Sequence, residues 1–160
     1  MEKLHERILK YLKTLKIPSK IIYSSYHTAG EGEHKIFDHI RENKSENIKV
    51  IYGLDADLIF LSMASHRNNI YLIRENTELD NTKVSQFIYV NINVVVKCFN
   101  EQIYDRIIQC ANEGGHDIPK ETNLIDDIIF ICYFLGNDFL PHIPTIDIKC
   151  EGLEMLLDAY

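Results

Sequence analysis

Residues 48–65 read IKVIYGLDADLIFLSMAS. Ile48–Tyr52 is an apolar, β-branched run of strand length, Gly53 turns the chain, and Leu58–Ser65 is apolar over two helical turns. A buried strand that passes directly into an apolar helix is half of a βαβ unit. It predicts an α/β fold with a mainly parallel sheet flanked by helices. Upstream, Glu2–Lys16 places Leu4, Ile8, Tyr11, Leu12 and Leu15 on one helical stripe, and Pro18 ends it. Lys20–Tyr26 (KIIYSSY) is short and β-prone, and a helix follows from about Glu31 to Glu42 with Ile36 and Ile40 on its buried side. Downstream, Asn69–Ile73 and Phe87–Val90 read as further strands. Ile92 to about Gln109 reads as a helix despite its β-branched NVVV, and the EGGHDIP stretch at 113–119 as a loop.

Asn123–Leu135 is the most apolar helix, with Asp126 and Asp127 near its favourable N-terminal end. Gly136-Asn137 stops it, Pro141 and Pro144 keep the next stretch extended, and Gly152–Ala159 forms a last short helix. Nothing in the sequence marks a repeat or a linker, so residues 1–160 are expected to be one domain.

The 160 residues are 46% hydrophobic and 26% charged, the balance of a globular chain. No apolar run reaches the roughly 18 residues of a membrane span. The opening MEKLHERILKYLK lacks the apolar core of a signal peptide. Cys98, Cys110, Cys132 and Cys150 are widely spaced without a CxxC pair, which predicts buried free thiols in a reducing compartment, hence an intracellular protein. The net charge of −7 argues against a broad basic face that grips phosphates. None of the nine tyrosines interleaves with a basic stripe as a stacking platform for bases would require.

Three segments put acids beside glycine at element ends. They are Gly30-Glu31-Gly32-Glu33-His34, Gly53-Leu54-Asp55-Ala56-Asp57-Leu58, and Gly136-Asn137-Asp138-Phe139-Leu140-Pro141-His142. Taken singly, Glu31 and Asp57 read as helix caps and Asp138 as a turn residue. Asp55, however, sits in an otherwise apolar strand-to-helix junction, a poor place for an unpaired charge. In open α/β sheets, ligands bind outside the carboxyl ends of strands, where acids from these segments could converge. Two carboxylates about 5 Å apart repel by roughly 3 kcal/mol at an effective dielectric near 20, so a cluster of five needs cations. An oxygen-only donor set suits Mg²⁺ or Mn²⁺, and the chemistry such a centre serves is two-metal phosphodiester hydrolysis. His34 and His142 lie inside these motifs but read as structural or hydrogen-bonding. His5, His27, His39, His66 and His116 show no ligand spacing and read as surface residues.

In order and separation, GEGEHKI, IYGLDADLI and FLGNDFLPHIPTIDI resemble three successive motifs of the 5′→3′ exoribonucleases of the Xrn/Rat type. The resemblance runs from Glu2 to Tyr160. It implies a PIN-like (flap-nuclease-like) fold, incomplete at both ends, and makes Glu31, Glu33, Asp55, Asp57 and Asp138 catalytic metal ligands. It also implies single-stranded RNA with a 5′-monophosphate as substrate. In that family, a segment before the first helix supplies two further aspartates and a 5′-phosphate pocket, and no residue of this chain matches them. That fits a fragment, a split gene whose partner chain supplies the rest, or a decayed remnant that binds RNA or a partner without cutting. A minimal flap-type endonuclease is disfavoured by the GNDFLPH run.

Overall fold

A computed structural model describes residues 1–53, 55–76, 87–115 and 123–160. Leu54 and most of the expected 113–119 loop, with His116, lie outside them. The described residues form two compact units, Met1–Lys44 and Ser45–Tyr160.

In the first unit, α1 (Glu2–Thr14) and α2 (Gly32–Glu42) are the two helices. The α1 stripe ends at Leu15, whose backbone turns extended while its N–H still bonds Leu12 O at 3.3 Å. KIIYSSY does not form the expected strand. Ile21 and Ile22 are exposed, and a turn closes by Thr28 N–H donating to Ser25 O at 3.1 Å. β-Propensity reports how well a residue fits a paired, half-buried surface, and here the segment finds no ladder among the described residues. On α2 the buried pair is Phe37 and Ile40 rather than Ile36 and Ile40; Ile36 is exposed. Positions 36 and 37 both lie near the apolar stripe, and the aromatic ring buries more surface.

The second unit follows the expected order. β1 (Lys49–Tyr52), α3 (Asp57–Ala64), β2 (Ile70–Glu75), β3 (Phe87–Asn91), α4 (Ile92–Gly114) and α5 (Leu124–Tyr133) lead to a 3-10 turn at Ile148–Cys150 and α6 (Gly152–Ala159). The sheet runs β1-β2-β3. β1 and β2 are parallel with Ile51 opposite Leu72, as the β1-α3-β2 crossover requires. β2 and β3 are antiparallel with Leu72 opposite Val90, so the sheet is mixed, which corrects the mainly parallel expectation. Residues 76–86 are all that join β2 to β3, fewer than the dozen or so a parallel crossover normally takes.

Ile51, Leu58, Met63, Ile70, Leu72 and Ile92 are buried where the helices cover the sheet. Ile103, Leu124 and Ile128 form a core between α4 and α5, with Phe99, Ile107, Cys132 and Leu157 packed against it. α4 runs past its expected end because Asn112 and Glu113 continue the helix until Gly115, which closes it in the left-handed conformation at φ 67°. Its NVVV segment is helical because Asn91 caps it, its side chain accepting from Asn93 N–H, and because Ile92 and Ile103 anchor its inner face.

All four cysteines are free, but Cys98, Cys110 and Cys150 are exposed and Cys132 only half-buried, so the expectation of buried thiols is corrected. Burial pushes the Cys132 thiol pKa up. Among the described residues, no helix is long and apolar enough to cross a membrane.

The Tyr160 hydroxyl donates to Asp127 Oδ2 at 2.7 Å, tying the end of α6 to the first turn of α5. Partial burial first, then that bond and the charge behind it, raise the Tyr160 pKa to about 12. A raised phenol pKa keeps the native state protonated where the unfolded state already ionises. The stability this contact contributes is therefore present below about pH 10 and lost as pH rises toward 12. Glu2 beside Tyr26 and Glu75 beside Tyr52 raise those two phenols as well. An ultraviolet pH titration is therefore expected to show a late-ionising group of tyrosines, and Tyr160→Phe to remove one tyrosine from its upper end. A Tyr160→Phe difference curve centred near pH 10, the ordinary phenol value, would refute the contact.

Candidate metal centre

Each acidic segment is shaped by its own backbone before any ligand is considered. In the first unit, Gly30 takes φ 92° and turns the chain into Glu31, the N-cap of α2, whose extended backbone (φ −72°, ψ 158°) precedes the first helical residue, Gly32. Glu33 lies in the first turn, where the helix dipole favours a negative charge. Glu31 is exposed and Glu33 half-buried. One turn on, His34 Nε2 lies 3.8 Å from Glu31 Oε2, so the histidine within this motif faces its own glutamate. Lys35 Nζ donates to Thr28 O at 2.6 Å, holding the turn that precedes Gly30.

In the second unit, β1 ends as Gly53 N–H donates to Ile73 O at 3.1 Å, and the chain leaves the sheet toward α3. Asp55 Oδ1 accepts the Asp57 N–H at 3.3 Å, a turn that places both carboxylates at the N-terminus of α3. Asp57 is the first helical residue and is half-buried; Asp55 is exposed. The desolvation that made Asp55 suspicious in sequence is therefore not what the structure shows. Its side chain points to a wet surface although its neighbours are apolar. The two acids remain close-set like charges at one helix start.

The third segment is a tight loop after α5. Gly136 adopts φ 85°, and Asn137 Oδ1 accepts the backbone N–H groups of Phe139 at 2.9 Å and Leu140 at 2.8 Å. Asn137 N–H in turn donates to Leu140 O at 2.9 Å. The loop thus presents Asp138 at its exposed tip, with Asn137 as the structural member of the pair. His142 Nδ1 lies 3.0 Å from Ile143 O, the hydrogen-bonding role expected of it.

Glu31 and Glu33 belong to the first unit and Asp55, Asp57 and Asp138 to the second. Within either unit, no group of three or more described His, Cys, Asp or Glu side chains is arranged to hold a metal ion. What the structure brings together is the Asp55–Asp57 pair. A hollow of about 550 Å³ lined by Asn100, Glu101, Tyr104, Asp105 and Leu124 includes none of the five acids.

His66 carries a contact that sequence reading missed. It takes a left-handed φ of 49° at the end of α3, and its Nε2 lies 3.0 Å from Asp126 Oδ1. Asp126 also accepts from the Asn123 amide. Nothing local announces a contact across 60 residues of chain.

Comparison with known proteins supplies the frame for these segments. The family described as the XRN 5′-3′ exonuclease N-terminus matches residues 1–76, which hold Glu31, Glu33, Asp55 and Asp57. The family described as the Xrn1 helical domain matches residues 120–160, which hold Asp138. A 5′-3′ exoribonuclease 2 of Yarrowia lipolytica is 34% identical over 151 residues, covering 88% of this chain and 14% of the relative. The Arabidopsis thaliana 5′-3′ exoribonuclease 2 is 34% identical over 183 residues, covering 88% and 17%. That of Saccharomyces cerevisiae is 30% identical over 171 residues, covering 88% and 16%. The chain spans about a sixth of the length of the curated relatives it matches.

Proposed function

The chain belongs to the XRN family of 5′-3′ exonucleases, and on that premise we propose that residues 1–160 are part of the catalytic domain of a metal-dependent 5′→3′ exoribonuclease. The observation that carries the reading is the succession of two XRN family matches on one chain. Their limits enclose all five acids of the GEGEH, GLDADL and GNDFLPH segments. The α/β arrangement with helices around a small sheet suits a PIN-like nuclease core, and we read the 160 residues as one partial domain of that kind. The four free thiols suit a reducing, intracellular setting.

In this reading, Glu31, Glu33, Asp55, Asp57 and Asp138 are oxygen ligands for Mg²⁺ or Mn²⁺. Bound there, the ions would activate a water and neutralise charge on the scissile phosphate. The chain's own contribution is positioning. The Asn137 loop holds out Asp138, and the Asp55 turn holds two carboxylates at one helix start. The substrate is single-stranded RNA with a 5′-monophosphate. A further segment of the family domain, on the same chain or supplied by a separate one, completes the ligand set and anchors the 5′ end.

The test is hydrolysis of 3′-labelled, 5′-monophosphorylated RNA with Mg²⁺ or Mn²⁺. Residues 1–160 alone are expected to cut very slowly, since positioning and charge stabilisation carry most of the rate in phosphoryl chemistry. Restoring the preceding family segment, in cis or in trans, is expected to give EDTA-sensitive degradation that prefers a 5′-monophosphate over a 5′-hydroxyl. Inactivity of the restored protein would instead favour a remnant that binds RNA or a partner without cutting.

A further inference from the structure

The net charge of −7 conceals an uneven distribution. Residues 1–44 hold nine Lys and Arg against six Asp and Glu, a formal +3, and residues 45–160 hold eight against eighteen, a formal −10. Within the basic unit the cations are ordered. Lys3, Arg7, Lys10 and Lys13 recur at helical spacing on α1, away from the stripe of Leu4, Ile8, Tyr11 and Leu12. All four are exposed, and none has an ion-pair partner among the described residues; Glu6 lies among them on that face and Glu2 at its edge.

A second feature adjoins this helix and was invisible in sequence. His5 of α1 stacks on Tyr23 with ring centroids 5.7 Å apart, and its Nδ1 lies 3.2 Å from the Tyr23 hydroxyl. Tyr26 and His27 meet His5 edge-on at 5.8 and 5.2 Å, and each other at 4.1 Å. The Tyr26 hydroxyl donates to Glu2, and His27 Nε2 lies 3.7 Å from the same carboxylate. Glu2, the one acid at the start of α1, is thus engaged by the aromatic cluster. Tyr26 and His27 stay exposed. The KIIYSSY segment, instead of joining a sheet, folds its rings against the helix that carries the basic row.

A row of unpaired cations with exposed rings beside it has the two elements of single-strand recognition. The cations track the phosphate backbone, and bases stack on the aromatic faces. We propose that the basic face of α1 and the His5–Tyr23–Tyr26–His27 cluster form a binding track for single-stranded RNA. The track rests on the RNA-directed reading above for its ligand, but it requires none of the five acids and no metal ion.

Binding is therefore measured in EDTA, by fluorescence anisotropy of a fluorescein-labelled single-stranded oligoribonucleotide with the full 160-residue chain. The Lys3→Gln, Arg7→Gln, Lys10→Gln, Lys13→Gln variant is expected to flatten the slope of log affinity against log salt by about 3, at roughly 0.7 per phosphate contact on a single strand. Tyr26→Ala is expected to weaken binding about fivefold or more at fixed salt, whereas Tyr26→Phe, which keeps the ring and loses only the Glu2 bond, binds as the parent does. Duplex RNA of the same length, whose bases are already stacked, is expected to be insensitive to Tyr26→Ala. An unchanged salt slope in the quadruple variant overturns the track. So does a loss for Tyr26→Phe equal to that for Tyr26→Ala. Circular dichroism checks that each variant keeps its helices. Since EDTA silences any metal centre, a failure here and a failure of the nuclease assay are separate results.

Discussion

Mn²⁺ is expected to raise the melting temperature of the parent chain, and replacing Asp55 and Asp57 together with alanine is expected to abolish that rise. Both carboxylates stand at the N-terminus of α3, bound into one turn by the Asp57 N–H to Asp55 Oδ1 contact at 3.3 Å. Two like charges at one helix start repel without a cation, and on the proposed reading a cation between them would turn that repulsion into coordination. Linkage sets the size of the effect. A cation at about a hundred times its dissociation constant stabilises the native state by about 2.7 kcal/mol. For a chain of this length that corresponds to a rise of roughly 5–10 °C. Alanine at position 55 also removes the acceptor of the turn, so the double asparagine variant is the needed control. It retains an oxygen for the Asp57 N–H while losing both charges. In the absence of metal it is expected to melt no lower than the parent, and with Mn²⁺ to show no shift. If both double variants respond to Mn²⁺ as the parent does, the pair is not part of a metal centre. If the metal-free asparagine variant melts clearly lower, the acids are structural partners rather than a charged site held at a cost in stability.

The parts of this molecule that sequence exposes are those fixed by short-range periodicity. β1, α3, β2, β3 and α6 fall within a residue or two of their expected limits because each is an apolar run bounded by glycine, proline or a polar break. The departures come from long-range pairing. Lys20–Tyr26 has strand composition, yet a strand exists only with a neighbour, and no rule of composition specifies one. The antiparallel β2–β3 pair depends on the brevity of the 76–86 connection, which outweighs the α/β alternation of the flanking segments. The acidic segments were legible because glycine, acid and apolar flank recur together. Their wet surroundings were not, since a residue between apolar neighbours can still point outward, as Asp55 does. The aromatic contacts of His5 and the His66–Asp126 contact join residues 18 to 60 positions apart, and local spacing is silent on them.

Gly136→Ala is expected to be strongly destabilising, and its damage should reach Asp138. Gly136 sits at φ 85°, where an L side chain costs about 1–2 kcal/mol from steric conflict with its own backbone. A Cβ there would also lie 2.7 Å from the His142 backbone nitrogen and 3.1 Å from its Cα, so the neighbour that must yield is main chain. The displaced segment, residues 137–142, is the one that Asn137 folds back through its bonds to Phe139 and Leu140. Gly115→Ala is the internal reference. Its φ of 67° carries similar strain, but among the described residues nothing lies within 4 Å of the added carbon. The reference variant is expected to lose about 1 kcal/mol and Gly136→Ala at least 2 kcal/mol, a fall of roughly 5 °C or more in melting temperature. The difference between the two isolates the contact with His142. A second readout concerns the metal. If Asp138 is a ligand, Gly136→Ala weakens the Mn²⁺ shift while Gly115→Ala preserves it, because only the former moves the loop that presents the carboxylate. Equal losses of stability in the two variants would show that the His142 backbone gives way freely. A full Mn²⁺ response in Gly136→Ala would place Asp138 outside the centre.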